Sequence, residues 1–534
     1  MSISQSNYFV NDRLPKLLLK ICIVVFSITV SNQSMAESSA NKNTDNTKSA
    51  TPIKWQNFDA KSFNQAKKEN KYILLDLVAV WCHWCHVMEE KTYQDANVQR
   101  LIKSHFIPVQ ADHDLRPDLA ERYREWGWPA TIIITPDGTE IVKRAGYINP
   151  ENMASLLQAV VDDPSPESST LSLPKQLSSS PILSKALTKT LKRNHIDAYD
   201  NALGGLKINQ KFLDADSVEW DLLLAKQGDQ KAKQRVQQTL KAAAKLIDPA
   251  FGGAYQYSTH ADWKHPHYEK IMLTQHKYLR VYSQACTQLN QPEYCQVAKK
   301  IANYLLEFLY STKQGAFYTS QDADLSQGKK SHAYFALNKQ ARLAQGLPRV
   351  DKHHYAAHNG RAIEGLAMLY QATGDKRYLD YAIRASRWIL KNRRYYGGGF
   401  RHYQLDAAGP YLADTLYMGK AFLTLYEVTK NQEFLTYAMQ AATFIGNQFK
   451  NPKGGLVSAV DNGTPTQPLP QLDQNIDAAR FLIKLHQYSR QTSQQAGHSA
   501  LAGHVMKLLA TEKIATSRLT EAGILLAMSE YNDL

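Results

Sequence analysis

The chain of 534 residues has few cysteines, five in all, and its N-terminal region has no long apolar run. The apolar stretch there, residues 21–30, is ten residues long, which is too short to span a bilayer. The basic residues are dispersed and form no recognisable nucleic-acid module, so a nucleic-acid partner is not expected. What is present, 43% hydrophobic and 21% charged residues, is typical of a soluble globular protein of more than one domain.

Residues 1–36 have the pattern of a secretory signal peptide. Arg13, Lys16 and Lys20 precede the apolar run, and Ser34-Met35-Ala36 offers a small-residue cleavage site. We therefore expect a periplasmic or secreted protein. The alternative is an uncleaved membrane anchor, and a membrane partner is expected only in that case. The polar residues 37–52 are predicted to be a flexible linker.

The most informative segment is Trp81-Cys82-His83-Trp84-Cys85-His86, in which two residues separate two cysteines. The apolar residues 72–80 before it predict a buried strand, and the residues from about Val87 predict a helix. This order places Cys82 at a helix N-terminus, where the helix dipole and free backbone N–H groups favour a thiolate. A thiolate is the attacking species in thiol–disulfide exchange.

Other interpretations of the cysteine pair stay open on these residues alone. C-x-x-C-H is also the attachment pattern of c-type haem, a Cys/His cluster can bind zinc or copper, and a cysteine pair can be purely structural. Two flanking features favour redox exchange. Asp76 lies inside the apolar strand, where it could exchange a proton with a buried cysteine. Pro129 opens a later strand, and a cis bond to Trp128 is predicted there. We therefore predict no metal and no other cofactor.

At this point the chain resembles the thioredoxin superfamily. More closely, it resembles the spermatogenesis-associated thioredoxin-like group, in which a domain with W-C-H-W-C-H precedes a helical toroid. The similarity continues through Val87-Met88-Glu89, Arg116-Pro117-Asp118 and Trp126-Gly127-Trp128-Pro129. The resemblance implies that Cys82 is the nucleophile and Cys85 the resolving thiol, that Asp76 is the buried acid, and that Pro129 is the cis-proline beside the disulfide.

The residues around the cysteines are possible modulators of the site. A nearby His83 imidazolium would lower the pKa of Cys82 and make the disulfide more oxidising. His86 lies one turn further on, where it would hydrogen-bond the loop. The alternative for both histidines is exposed packing around the site. Trp81 is expected to shape the surface that binds a partner.

Export would also change the expected state of the remaining cysteines. Without Cys22 in the signal segment, four are left in an oxidising compartment. Cys286 ends one predicted helix and Cys295 begins the next, so we expect a structural disulfide between them. Two buried thiols in a helix pair are the alternative.

The second half of the chain contains a helical repeat. A Ser/Pro-rich linker, residues 163–190, separates it from residues 53–162. Three helices carry one apolar stripe at the spacing +4, +7 and +11, and a glycine turn follows each: Tyr294, Ala298, Ile301, Leu305; Tyr378, Ala382, Ala385, Ile389; Phe434, Ala438, Ala441, Ile445. Such hairpins must stack as an open solenoid or a closed α/α toroid. The glycine turns and the length favour a toroid over residues 191–534, and this half resembles the six-hairpin glycosidase and epimerase-like superfamily.

Polar residues are expected to gather at one face of such a toroid, where glycine loops meet the starts of inner helices. They are His267, Glu269, Asp322, Asp324, His358, Asn359, His402 and Asp414. Carboxylates facing each other there could act as acid and base in sugar chemistry. The alternative is that they cap helices and order loops. The insert at 331–351 is expected to cover part of this mouth.

The sequence thus predicts a multidomain chain, an α/β thioredoxin-like domain followed by an all-α toroid. The favoured function is exported thiol–disulfide oxidoreductase, acting on protein thiols and disulfides, with the toroid recruiting a protein or glycan. The alternative is a carbohydrate-active enzyme, or a glycan-binding protein, with an accessory thioredoxin-like domain.

Overall fold

The computed structural model describes residues 52–167, 172–406, 408–489 and 495–533. The predicted signal peptide and almost all of the linker at 37–52 lie outside the described residues. None of the described helices combines the length and the apolar character needed to cross a membrane.

The N-terminal domain is a four-stranded sheet with helices on both faces. Its helices are α1 (Ala60–Glu69), α2 (His83–Lys91), α3 (Ala96–His105), α4 (Pro117–Arg122) and α5 (Pro150–Asp162). Its strands are β1 (Tyr72–Val78), β2 (Phe106–Asp112), β3 (Ala130–Ile134) and β4 (Glu140–Ala145). The sheet order is β2-β1-β3-β4, with β1 parallel to β2 and antiparallel to β3.

The central position of β1 explains why its sequence is an almost continuous apolar run. Ile73, Leu75 and Leu77 pack on the side of α1 and α4, whereas Leu74 packs on the opposite side, with α3 and α5. A strand that is covered on both faces reads as a hydrophobic run without alternation. The only acid inside it, Asp76, is correspondingly buried.

The C-terminal region is helical. Its helices are α6 (Lys185–Asp197), α7 (Ala215–Lys226), α8 (Gln230–Ala243), α9 (Met272–Gln288), α10 (Pro292–Phe308), α11 (His332–Phe335), α12 (Lys339–Gln345), α13 (Ala356–Thr373), α14 (Lys376–Arg393), α15 (Leu412–Thr429), α16 (Gln432–Gln448), α17 (Leu472–Tyr488), α18 (Gln495–Leu509), α19 (Glu512–Ala515) and α20 (Ala522–Asn532). Short strands join the loops between them: β5 (Tyr257–Ser258), β6 (Pro266–His267), β7 (Lys270–Ile271), β8 (Tyr310–Ser311), β9 (Ala316–Phe317), β10 (Ser320–Gln321) and β11 (Val350–Asp351).

Six of these helices form a closed inner ring in the order α7, α9, α13, α15, α17 and α20, and α20 packs back against α7. An outer helix backs each of them: α8, α10, α14, α16, α18 and α6 in the same order. The three apolar stripes of the repeat lie on the outer helices α10, α14 and α16, and all their residues are buried. The structure therefore confirms the toroid and excludes the open solenoid.

Three features of this region bear on the expectations from the sequence. Helix α6 begins at Lys185, inside the linker predicted for 163–190, because Leu187 and Leu191 are buried in the toroid core. The hairpin of α9 and α10 carries a disulfide between Cys286 and Cys295. The insert at 331–351 forms α11, α12 and β11, and its residue Phe335 packs on Tyr255 and Tyr268.

Candidate functional site

The cysteine pair lies where β1 gives way to α2. Helix α2 begins at His83, and Cys82 is its N-cap, with its sulfur accepting the Cys85 N–H at 3.2 Å. Cys82 and Cys85 are joined by a disulfide, and their Cα atoms are 5.3 Å apart. The end of the helix therefore directs the Cys85 backbone N–H at the Cys82 sulfur, and a donor in this place stabilises a thiolate.

Both sulfurs are covered. Cys82 is 3% exposed and Cys85 is 5% exposed. They pack in one cluster with Trp81 and with Ile271, which ends β7 of the toroid. The disulfide therefore lies at the interface between the two domains and not on an open surface.

Asp76 occupies the middle of β1, opposite Gln110 of β2 and Thr131 of β3. Gln110 donates a hydrogen bond from Nε2 to Asp76 Oδ2 at 3.1 Å. Burial raises the pKa of Asp76 to about 7, although Gln110 and Tyr93 oppose the rise. This carboxyl can therefore hold or release a proton near neutral pH.

Pro129 lies directly before β3, and the Trp128–Pro129 peptide bond is cis. Leu77 of β1 is paired with Ala130, so Pro129 lies beside the end of β1 from which the chain turns towards Cys82. The side chain of Trp128 packs on the cluster that contains both cysteines. Asp76, the cysteine pair and Pro129 thus belong to one continuous part of the domain.

The two histidines of the motif bind the toroid. His83 Nδ1 lies 2.7 Å from Asp324 Oδ1, and His86 Nδ1 lies 3.4 Å from Asp324 Oδ2. His86 Nε2 faces Asp322 Oδ2 at 4.0 Å. Burial opposes ionisation of Asp324, but the hydrogen bonds to His83 and His86 outweigh it and lower its pKa. Both imidazoles are therefore interdomain contacts, and the expectation of exposed packing is wrong.

Asp114 joins the domains at a second point. Its Oδ2 accepts a hydrogen bond from Trp81 Nε1 at 2.9 Å, and its Oδ1 lies 2.8 Å from His113 Nδ1 and 3.4 Å from His358 Nε2 of α13. Burial opposes its ionisation, yet His113 and His358 hold the pKa of Asp114 well below its usual range. Trp81 is 3% exposed, so it forms part of this buried network and not of an exposed partner-binding surface.

Three further toroid candidates, His402, Asp414 and Asn359, have structural partners. His402 Nδ1 lies 2.9 Å from Asp414 Oδ1, and its Nε2 lies 2.6 Å from the Asp114 carbonyl oxygen. Asn359 bonds the backbone of Phe317 through both ends of its amide. These residues therefore order loops and hold the N-terminal domain, in agreement with the structural alternative.

His267 ends β6, and Glu269 lies between β6 and β7, before α9. His267 stacks on Tyr257, and its Nδ1 is 3.8 Å from Glu269 Oε2. Glu269 is 4% exposed, and its Oε2 has no hydrogen-bond partner in the part of the chain that the structure describes. The predicted group is thus divided between two interdomain clusters and this pair, and it does not surround an open mouth.

The N-terminal domain covers the face at which the inner helices begin. Its contacts include Ile271 before α9, His358 in the first turn of α13, His402 before α15, and Asp473 in α17, which pairs with Arg124. The insert at 331–351 packs through Phe335 on Tyr268, the residue between His267 and Glu269 in the sequence.

A cavity of about 300 Å³ opens deeper in the ring, and the sequence patterns did not single it out. Five inner helices place a charged residue at their ninth position against it: Arg280, Glu364, Lys420, Arg480 and Glu530. They form ion pairs across the ring, including Arg280 with Glu219 at 2.6 Å and Lys420 with Asp477 at 2.5 Å. A charge at the same place in successive apolar helices is the signal that could have revealed this network.

Comparison with known proteins finds a family model that matches part of each half. Residues 36–162 match the family model Thioredox_DsbH, described as a protein of unknown function, DUF255. Residues 331–459 match the model for Glycosyl Hydrolase Family 88. The N-terminal domain is thioredoxin-like. The chain as a whole combines this thioredoxin-like domain with an α/α toroid, as the sequence predicted, and the toroid is similar to the Glycosyl Hydrolase Family 88 model over residues 331–459.

Three relatives illustrate the range of similarity. Spermatogenesis-associated protein 20 of Mus musculus is 29% identical over 51% of this chain and 39% of its own length, so the match spans about two fifths of that relative. The uncharacterized protein B0495.5 of Caenorhabditis elegans is 23% identical over 76% of this chain and 73% of its own. The thiol:disulfide interchange protein DsbD 2 of Pseudomonas aeruginosa is 35% identical over 14% of this chain and 13% of its own.

Solved structures of similar shape include two sugar-converting enzymes. A D-mannose isomerase superposes with a TM-score of 0.47 at 12% identity, covering 66% of this chain and 98% of its own. A sugar epimerase from a ruminal bacterium gives a TM-score of 0.41 at 18% identity, covering 55% and 70%.

Proposed function

We propose that this chain is a thiol–disulfide oxidoreductase that uses the Cys82–Cys85 pair. The observation that carries the proposal is the disulfide at the N-terminus of α2, in a domain that also holds the buried acid Asp76 in β1 and the cis-proline Pro129 before β3. In one direction, a partner thiolate attacks the Cys82 sulfur, the Cys82–Cys85 bond breaks, and Cys85 leaves as a thiolate. A second partner thiol then attacks the mixed disulfide, which leaves the partner oxidised and the pair reduced.

Asp76 supports this exchange by moving a proton. With a pKa raised to about 7 by burial, it can protonate the departing Cys85 thiolate and take the proton back when the pair is reoxidised. The N-terminus of α2 stabilises the Cys82 thiolate in the reduced state. The same two groups serve both directions, because exchange is reversible.

The cover over the sulfurs selects the partner. Ile271 packs on the disulfide, so a protein partner reaches Cys82 only when this contact opens, whereas a small thiol needs less space. The toroid would thereby control access and recruit a protein or glycan partner. Export to an oxidising compartment is part of the proposal and is supported by the pattern of residues 1–36.

A glutathione redox titration of the purified protein tests this function, with each cysteine read by alkylation and mass. We expect Cys82 and Cys85 to titrate together at a potential between about −270 and about −120 mV. Cys85→Ser should trap a mixed disulfide at Cys82, and Cys82→Ser should trap none. A Cys286→Ser/Cys295→Ser variant is the matched control and should titrate like the parent. A Cys82–Cys85 pair that never changes state would refute the proposal.

Binding of a carbohydrate by the toroid is the second candidate, and the inner cavity favours it. A space of about 300 Å³ with ion pairs and the amides of Gln284, Gln371 and Gln487 on its wall suits a small polyhydroxylated ligand. Saturation-transfer NMR with a panel of mono- and disaccharides tests it. Gln284→Leu, which changes the polarity of the wall and leaves its charged residues in place, should weaken binding, and absence of any signal would reject this candidate.

A further inference from the structure

Three buried side chains from both domains converge about one helical turn beyond Cys82. His86 comes from α2, and Asp322 and Asp324 come from the toroid loop after β10. One ligand atom from each of the three lies within 4.8 Å of the other two. The residues are 8%, 1% and 3% exposed, respectively, so water contributes little to their solvation. Two carboxyl groups in such a place need a cationic partner.

One oxygen of this cluster has no hydrogen bond among the residues that the structure describes. It is Oδ2 of Asp322, whose side chain is fully buried. The other oxygen, Oδ1, accepts the backbone N–H of Asp324 at 2.9 Å, which fixes the orientation of the carboxyl group. Oδ2 therefore faces His86 Nε2 across 4.0 Å, too far for a direct hydrogen bond. A buried polar atom held in this way points to a ligand.

The distances suit one metal ion. Zinc bonds to imidazole nitrogen and carboxylate oxygen are about 2.0–2.2 Å long, so one ion can bridge donor atoms up to roughly 4 Å apart. Because the two ring nitrogens of His86 point away from each other, only one of them can bind the ion, and with one nitrogen and one oxygen from each carboxyl group the three donor atoms lie within 4.8 Å of one another, so that they close in slightly around the ion. One imidazole with carboxylates is a donor set for zinc or another divalent transition metal, whereas calcium and magnesium take oxygen donors.

Outer contacts hold the donors in place. His83 Nδ1 lies 2.7 Å from Asp324 Oδ1, and the Gly328 N–H donates to Asp324 Oδ2 at 2.9 Å. Partners of this kind orient the ligands of metal sites and are a normal part of their construction. These contacts leave one oxygen of each carboxyl group, Oδ2 of Asp322 and Oδ2 of Asp324, facing His86.

We propose that His86, Asp322 and Asp324 bind one divalent transition-metal ion, which links the thioredoxin-like domain to the toroid beside the Cys82–Cys85 pair. The site does not depend on the redox function, since none of its ligands is a sulfur. It departs from the sequence-based expectation of a chain without a metal, because Asp322 and Asp324 lie more than 230 positions from His86 and only the fold brings them together.

Zinc is the probe for the test. The purified full chain, with its disulfide intact, is stripped with a chelator and titrated with Zn²⁺ by calorimetry, and bound metal is counted by mass spectrometry. We expect one ion per chain and a loss of affinity of at least about 100-fold in Asp322→Asn and His86→Gln. Asp262→Asn is the matched control, because Asp262 and His265 form a surface pair of the same chemistry at 2.9 Å, and it should bind zinc like the parent.

Thermal unfolding is a second measurement, and it separates the loss of metal binding from a disturbance of the interface. Zn²⁺ should raise the melting temperature of the parent and of Asp262→Asn but not of Asp322→Asn, since only a ligand that binds the folded state stabilises it. X-ray absorption of the zinc-loaded parent should show nitrogen and oxygen neighbours and no sulfur. Failure of the parent to bind one equivalent overturns the proposal. So does one-equivalent binding that survives both Asp322→Asn and His86→Gln, because the ion would then be held by other residues.

Discussion

A carboxyl group in the middle of a doubly covered strand is stable only if it is paired or uncharged. Asp76 accepts a hydrogen bond from Gln110, and burial outweighs the effect of that bond on its pKa. The resulting pKa of about 7 leaves the residue close to half protonated at neutral pH. At the residue scale, burial of Asp76 inside β1 therefore lowers the stability of the folded chain at a pH where its carboxyl group ionises.

That cost predicts a dependence of stability on pH. In the unfolded chain Asp76 ionises at the ordinary aspartate pKa of 3.8, and in the folded chain its pKa is about 7. Between these values the folded state holds the extra proton, so the free energy of unfolding falls as pH rises from about 4 to about 7. Asp76→Asn removes this contribution. Relative to the parent, the variant should gain stability over that window, by at most about 4 kcal/mol above pH 7.

Urea unfolding of both proteins from pH 4 to pH 8 measures the difference. Other titrating groups are common to the two proteins and cancel. Asp95→Asn is the control, because Asn replaces Asp well at the N-cap of α3 and no pH-dependent gain is expected. A difference between Asp76→Asn and the parent that stays constant across the range would show that Asp76 ionises normally.

At the scale of elements, the sequence predicted the outer helices better than the inner ones. The stripes on α10, α14 and α16 are regular because one face packs inwards and the other meets solvent. The inner helices α13 and α15 begin at Ala356 and Leu412, and none of the three apolar stripes lies on them. Their first turns carry His358 and Asp414, polar residues that hold the other domain and interrupt the apolar pattern.

The contacts between the two domains show more clearly which features local sequence patterns do not predict. Local patterns correctly predicted the strand, the helix and the place of Cys82 between them, since each depends on neighbours in sequence. They did not predict that His83 would contact Asp324, which is 241 residues away. No periodicity encodes such a contact, because it depends on how two independently patterned domains dock.

The insert between β10 and α13 depends on one buried cation. Arg342 of α12 is fully buried, pairs with Asp248 at 2.8 Å, and donates to the Leu337 carbonyl. Arg342→Ala should lower the free energy of unfolding by about 3 kcal/mol, the lower end for a broken buried pair, because Lys270 still pairs with Asp248. Denaturant unfolding measures the loss, and faster proteolysis within residues 331–351 should accompany it.

The neighbouring Lys339→Ala is the matched control on the same helix. Lys339 forms an exposed ion pair with Glu307, and its loss should cost less than about 1 kcal/mol. Equal effects of the two substitutions would mean that Arg342 does not anchor the insert.

At the scale of the whole molecule, the docking of the two domains covers the disulfide of Cys82 and Cys85. The interface is rich in charge: Arg124 pairs with Asp473, and Arg518 pairs with Glu125 at 3.3 Å and with Asp473 at 2.5 Å. In the same interface, Asp114 accepts a hydrogen bond from Trp81 of its own domain and lies 3.4 Å from His358 of the toroid. Charged contacts of this kind depend on each partner being present, so the cover over the disulfide can be loosened by a single substitution.

Asp114→Asn is therefore expected to expose the disulfide. The asparagine amide is neutral, so His113 and His358 lose the negative charge that they contact in the parent. The contact between the domains should therefore weaken, while the cysteines themselves are unchanged. Reduction of the Cys82–Cys85 bond by a protein dithiol should become at least about 10-fold faster, whereas reduction by a small phosphine should change much less. Asp95→Asn, at the N-cap of α3 and outside the interface contacts named above, should leave both rates unchanged. Equal acceleration with both reductants would place the effect of Asp114 on the disulfide itself, and no acceleration would show that the toroid does not limit access.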